Sequence, residues 1–195
     1  MNRKASVSRQ TKETDISVGF NLDGSGKGSI ATGIPFFDHM LTAFMVHGFF
    51  DLDLKARGDL EVDFHHTIED VGIVMGQALS RALADKKQIV RFGDATVPMD
   101  EALSKVTIDL SGRPYLVYNF PDDLKVSGKF SAWLAKEFFR AFCVHGNFNL
   151  HINCFYGENE HHVLESIFKA LGKSLHMATR LDEKIESTLS SKGSL

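Results

Sequence analysis

His65-His66-Thr67-Ile68-Glu69 returns 96 residues later as His161-His162-Val163-Leu164-Glu165. A second match lies upstream of each copy, at an offset of 98: Ala43-Phe44-Met45-Val46-His47-Gly48-Phe49-Phe50-Asp51-Leu52 against Ala141-Phe142-Cys143-Val144-His145-Gly146-Asn147-Phe148-Asn149-Leu150. The two offsets differ by two residues, so one small loop deletion brings both matches into register. Two matches in the same order mark an internal duplication. The chain therefore reads as a single domain built from two modules, about residues 1–93 and 94–195.

Working outward, each module reads strand, strand, helix, strand, strand, helix. In the first, Ile16, Val18, Phe20 and Leu22 alternate with polar or small residues, the pattern of a half-buried strand ended by Asp23-Gly24-Ser25-Gly26. Helical spacing predicts a helix from about Pro35 to Val46, strands at Asp51–Lys55 and Leu60–Phe64, and a helix from His65 to about Ala84. In the second, Met99–Leu110 and Tyr115–Asn119 read as strands, Ser131–Val144 as a helix and Phe148–Tyr156 as a strand. A loop at Gly157–Glu160 then leads into a last helix from His161 to near Leu181. Sheets with one apolar face, packed by helices, give an α+β fold of two pseudo-symmetric half-domains, each a four-stranded sheet in a two-layer arrangement.

Composition narrows the function classes. With 43% hydrophobic and 24% charged residues the chain is ordinary for a globular protein, and 195 residues suffice for a substantial core. A net charge of −3 without a basic block points away from nucleic acid and anionic membranes. The first residues lack the apolar stretch of a signal peptide, and no window has the ~18 apolar residues of a membrane span. Cys143 and Cys154 lie in no CxxC and read as free thiols of a reducing, cytoplasmic compartment.

Imidazole and carboxylate together suggest metal binding. On a helix, positions i and i+4, and i+1 and i+4, are neighbours, so Glu69 can share an ion with either His65 or His66. The two adjacent histidines diverge by about 100° around the helix, so each motif offers ligands to two ions. The repeat register adds His39, eight residues before His47, and its equivalent Glu137, eight before His145. The candidate set is His39, His65, His66, Glu69, Glu137, His161, His162 and Glu165. Imidazole and carboxylate donors with open positions favour Mn²⁺, Fe²⁺ or Zn²⁺ and a site completed by substrate or water. His145 reads as a structural cap before Gly146, and His151 as a packed or surface residue. His176 has no role assigned.

Phe37-Asp38-His39-Met40-Leu41, the two HHxxE motifs, Arg91-Phe92-Gly93, Met99-Asp100-Glu101-Ala102, Asp109-Leu110-Ser111-Gly112-Arg113-Pro114 and Ser190-Ser191-Lys192-Gly193 resemble the imidazoleglycerol-phosphate dehydratase family, in order along nearly the whole chain. No phosphatase domain precedes them, as in the family's monofunctional form. The resemblance implies a lyase of histidine biosynthesis that converts imidazoleglycerol phosphate to imidazole acetol phosphate and water. It also implies two Mn²⁺ per active site, sites built at subunit contacts, and a homo-oligomer of 24 copies. By the same resemblance Arg91, Arg113, Ser190, Ser191 and Lys192 contact the substrate phosphate, with Lys169 a further candidate. Glu13 is assigned to substrate binding and acid/base work, Glu165 is a second catalytic candidate, and His47 contacts substrate. His39, His65, His66, Glu69 and His161 also face the substrate as ligands of the ions. At position 137 many members have His, so Glu137 is a departure, and Lys136 is a possible partner for it.

The chemistry gives two ions a purpose. The glycerol chain has no carbonyl to acidify its carbon-bound proton, so the imidazole ring is the only electron sink, and each ring nitrogen can take one metal. A metal-organised structural protein would instead need closed coordination and no phosphate site. A dinuclear hydrolase would need an Asp-rich bridging pattern, which is not found.

Overall fold

The computed structural model describes residues 3–121, 124 and 130–192. Along the chain run β1 (Lys4–Gln10), β2 (Thr14–Asn21), β3 (Gly28–Ala31), α1 (Pro35–Gly48), β4 (Asp51–Gly58) and α2 (His65–Leu83). The same series then repeats as β5 (Phe92–Met99), β6 (Ala102–Asp109), β7 (Tyr115–Asn119), α3 (Ala132–Gly146), β8 (Asn149–Tyr156) and α4 (Glu160–Thr179). The sheets have matching orders, β1-β2-β4-β3 and β5-β6-β8-β7. In each, three strands pair antiparallel, and the short third strand runs parallel to the fourth. A parallel neighbour needs a crossover, and α1 and α3 supply it. The α+β fold of two similar four-stranded halves is the one expected; no helix among the described residues is long and apolar enough to cross a membrane.

The order within each half differs from the expected one: three strands, helix, strand, helix. β1 and β3 escape a hydrophobic pattern because they are edge strands, with Val7 the one fully buried residue of β1 and none in β3. Met99–Leu110 is not one strand but the second half of a hairpin turning at Asp100-Glu101. Its partner β5 points Gly93, Ala95 and Val97 inward; a Cβ on Gly93 would overlap the Ser174 carbonyl, so small residues are required where α4 presses on the sheet. Leu60–Phe64 is a turn rather than a strand, closed by Val62 N–H donating to Asp59 O at 2.8 Å. Glu160 opens α4 instead of ending the loop before it.

Helices pair across the halves. α1 lies along α4, and α2 along α3. Each pair runs in one direction: Gly72 meets Phe138 and Gly76 meets Phe142, while His39 meets Glu165 and Gly48 meets Gly172. Glycines permit the close approach: a Cβ on Gly76 would lie 2.7 Å from Phe142 O, and on Gly72 2.7 Å from Phe138 O. In the other pair a Cβ on Gly172 would lie 3.0 Å from Gly48 N. Phenylalanines fill the space between: Phe37 meets Phe138 edge-on at 5.3 Å, Phe44 meets Phe142 at 6.2 Å, and Phe138 stacks on Phe168 at 5.7 Å. The resulting core is continuous across both halves. Pro35 occupies the first turn of α1, and the Ser131 and Asn159 side chains cap α3 and α4. Both crossover helices end on a left-handed residue, Phe49 (φ 56°) and Asn147 (φ 53°), so Asn147 rather than His145 is the cap after Gly146.

Candidate metal centre

The parallel pairing of α1 and α4 sets His39, in the second turn of α1, against the first turn of α4. His39 Nε2 and His161 Nε2 each lie 3.1 Å from Glu165 Oε2. The three donor atoms lie within 4.8 Å of one another, a spacing one ion can span. Glu165 Oε1 is held by Lys169 Nζ at 2.7 Å. Burial alone would raise the Glu165 pKa, but hydrogen bonds from Lys169 and His39 outweigh it and hold the carboxyl down at about 2. Glu165 is therefore a committed anion beneath two half-exposed imidazoles. Phe36 packs edge-on against the His161 ring at 5.0 Å and restricts its rotation.

The other helix pair carries the equivalent residues, but among the described residues they do not converge on one point as His39, His161 and Glu165 do. His65 Nε2 is 3.5 Å from Glu69 Oε2. Across from them on α3, buried Glu137 is contacted not by Lys136, which lies over the Trp133 ring, but by Arg140. Arg140 Nη2 is 2.6 Å from Glu137 Oε2, in a direction that does not make a hydrogen bond, and 3.9 Å from Glu69 Oε1. The sequence motif carries no sign of this cation, because its repeat equivalent is Thr42.

In both motifs it is the first histidine that meets the motif's own glutamate. The second diverges, with ring centroids 6.0 Å apart for His65 and His66 and 6.1 Å for His161 and His162. His66 Nδ1 is 3.0 Å from Asp59 Oδ2, and His162 Nδ1 is 2.7 Å from Glu101 Oε2. The hydrogen bonds to those carboxylates raise the pKa of both rings. Glu13 in the β1–β2 turn approaches the same His66 Nδ1 at 4.0 Å and stays more than half exposed. Sequence reasoning named Glu13 but missed Asp59 and Glu101. Glu101 had a signal, since it sits in the β5–β6 turn as Glu13 sits in the β1–β2 turn.

The basic and hydroxyl residues gather elsewhere. Arg91 precedes β5 and clamps Asp109 at the end of β6, with Nε 2.7 Å from Oδ1 and Nη2 3.1 Å from Oδ2. Its Nη1 donates to Leu189 O at 2.7 Å, which ties it to the segment that continues as Ser190, Ser191 and Lys192. Arg113 follows in the turn after β6, its backbone N–H on Ser111 Oγ at 3.3 Å. Gly193 lies outside the described residues. Lys169 is not in this group, being held on Glu165. His47, near the end of α1, has its pKa lowered by burial and by the charges of Lys169 and Lys173, so it is neutral at neutral pH. The eight residues of β5 separate Arg91 from the turn that reaches His162, roughly 25 Å of extended strand.

Residues 32–175 match the family described as imidazoleglycerol-phosphate dehydratase. A protein of that name from Desulfosudis oleivorans is 57% identical over 193 residues, 99% of each chain. Another from Acetivibrio thermocellus is 54% identical over 195 residues, all of both chains. Among solved structures, imidazoleglycerol-phosphate dehydratase from Staphylococcus aureus superposes with a TM-score of 0.80 at 39% identity, over 91% of this chain and all of that one. The enzyme from Pyrococcus furiosus, in complex with (S)-C348, gives 0.84 at 39% identity over 97% of this chain and all of that one. Likeness of this extent defines the class: an enzyme, specifically a hydro-lyase. The chain belongs to the imidazoleglycerol-phosphate dehydratase family.

Proposed function

We propose that the chain dehydrates imidazoleglycerol phosphate to imidazole acetol phosphate in histidine biosynthesis, using a dinuclear Mn²⁺ site. The observation that carries the metal reading is the convergence of His39, His161 and Glu165 on a common point at the protein surface. These are nitrogen and oxygen donors without thiolate, the set that suits Mn²⁺. His39, His161 and Glu165 would hold one ion, and His65, Glu69 and Glu137 the other, with His66 and His162 available to complete the two shells. Bound there, the ions would supply Lewis acidity to the nitrogens of the substrate's imidazole ring.

The protein residues do the rest. Lys169 fixes Glu165 through the oxygen that the histidines leave free, which keeps the other oxygen aimed at them. Glu13, exposed on its turn beside His66, is placed to accept the carbon-bound proton, and neutral His47 is in a form that can receive one. Arg91, Arg113, Ser190, Ser191 and Lys192 form a phosphate cradle in which the Arg91 fork is already oriented by Asp109. That cradle is roughly 25 Å from the ligand end of its own half, by the rise of a strand. A triose-phosphate-sized substrate cannot span this gap, so the cradle does not serve the ligand end of its own half, and we assign the two to different copies. An assembly of 24 copies with interfacial sites meets that requirement. A cytoplasmic setting suits both a biosynthetic step and the two free thiols.

The test is an assay of purified protein loaded with Mn²⁺ and given imidazoleglycerol phosphate. Formation of imidazole acetol phosphate is the expected result. Absence of product with metal demonstrably bound overturns the proposal.

A further inference from the structure

We propose that Asp59 and Glu101 are positioning residues. Each grips the second histidine of its motif by Nδ1, so that in the neutral ring Nε2 carries the lone pair that a metal ion would take. The inference rests on the metal reading above for its purpose, but the geometry behind it is independent of any ion. A carboxylate oxygen accepts and does not donate, so Nδ1 must carry the proton at both contacts, 3.0 Å for His66 and 2.7 Å for His162. A neutral ring protonated at Nδ1 has its lone pair on Nε2. The first histidines are arranged the other way round: His65 and His161 turn Nε2 toward the glutamate of their own motif.

The contact recurs in both halves although the residues making it do not correspond. Asp59 follows the end of β4, and the repeat places Phe155 to Gly157 opposite it. Glu101 lies in the β5–β6 turn, whose counterpart turn carries Glu13, and Glu13 stands off at 4.0 Å. A carboxylate on Nδ1 is thus present twice from unrelated positions, which a relic of the duplication does not explain.

Both carboxylates are themselves fixed. Glu101 Oε1 accepts the backbone N–H of Asn159 at 2.9 Å and of Glu158 at 3.2 Å, tying the turn to the loop that launches α4. Asp59 Oδ1 is buried with no hydrogen-bond partner among the described residues. Burying an unsatisfied carboxylate oxygen costs stability, and the His66 contact through the other oxygen is what the position provides in return. Asp59 is the nearer of the two carboxylates at His66 Nδ1, 3.0 Å against 4.0 Å for Glu13.

The experiment reads the tautomer directly. Ring-nitrogen chemical shifts of His162 are recorded by long-range proton–nitrogen NMR on the metal-free full chain at alkaline pH, for wild type, Glu101→Gln and Glu101→Ala. Wild type should show the Nδ1–H tautomer. Glu101→Gln has one acceptor oxygen for both duties; with it on the Asn159 and Glu158 N–H groups, its amide NH2 faces Nδ1, so this isosteric variant should move toward the Nε2–H tautomer. Glu101→Ala should shift toward the Nε2–H tautomer, drawn by Asp100 Oδ2 at 3.6 Å from Nε2. Mn²⁺ retention, read from the free-ion electron paramagnetic resonance signal, should fall about 10–100-fold in both variants. Asp59→Asn and Asp59→Ala test the same contact in the other half should Glu101→Ala fail to fold. An Nδ1–H tautomer and wild-type Mn²⁺ retention in the alanine variants overturn the inference. A wild-type chain that holds no Mn²⁺ overturns the metal reading, while the tautomer result still decides this one.

Discussion

At the scale of single residues, Glu165 shows how one side chain reconciles burial with charge. Its two oxygens are divided between a lysine on one side and two imidazoles on the other, and these contacts outweigh the desolvation they accompany. A carboxyl held at about 2, against 4.5 for the free group, binds fewer protons folded than unfolded between those values. Its contribution to stability is therefore complete above about pH 4.5 and is lost as pH falls toward 2. Denaturant unfolding of the metal-free chain should show that loss, and Glu165→Gln should remove this part of the pH slope. An unchanged slope would mean that the Lys169 and His39 contacts are not formed in solution. Such contacts were only partly legible in the sequence. His39, His161 and Glu165 could be found because the repeat and the helical period place them. Asp59 and Arg140 could not, because their contacts depend on how turns and neighbouring helices meet in space, and no periodicity records that; Glu101 was marked only by the equivalence of its turn with that of Glu13.

Among the elements, the helices were legible nearly to the residue and the edge strands were not. A helix buried on one face writes its period into the sequence, whereas β1 and β3 bury so little that alternation has nothing to mark. Leu60–Phe64 shows the converse error: apolar residues in a turn imitate a strand until the hydrogen bonds are known. The glycines at the helix contacts define a sharper expectation. In an exposed helix Gly→Ala gains up to about 1 kcal/mol of propensity. At Gly76 the new methyl would sit 2.7 Å from Phe142 O and 2.8 Å from Gly146 N, and neither backbone atom can move aside without its helix. Overpacking of this kind costs about 1–3 kcal/mol, so Gly76→Ala should be net destabilising. Calorimetry or denaturant melts will show it as a lowered midpoint; a raised one would mean that α2 and α3 can separate at little cost.

Across the whole molecule, Arg91 and the turn that reaches His162 lie at opposite ends of β5. On the function proposed above, the active site would be shared between copies of the chain. Chelation should therefore act on size as well as on activity: stripping Mn²⁺ should dissolve the large assembly into smaller oligomers, because ion binding is linked to association. Light scattering that finds an unchanged particle after complete metal removal would refute this. The duplication itself was legible from two short matches, since a repeated motif implies a repeated fold. What the matches could not convey was which helix of one half would lie beside which helix of the other.

That crossed pairing bears on how such a chain arose. Each ligand cluster takes its short crossover helix from one half and its long helix from the other: α1 with α4, α2 with α3. An unfused ancestral module would have owned no cluster by itself and would have gained two identical ones only by pairing with its twin. Joining the twins into one polypeptide ended that enforced identity, since a change in one copy no longer altered both. His39 in the place that Glu137 holds in the other copy, and Thr42 in that of Arg140 one turn further on, are what that freedom has left in the sequence.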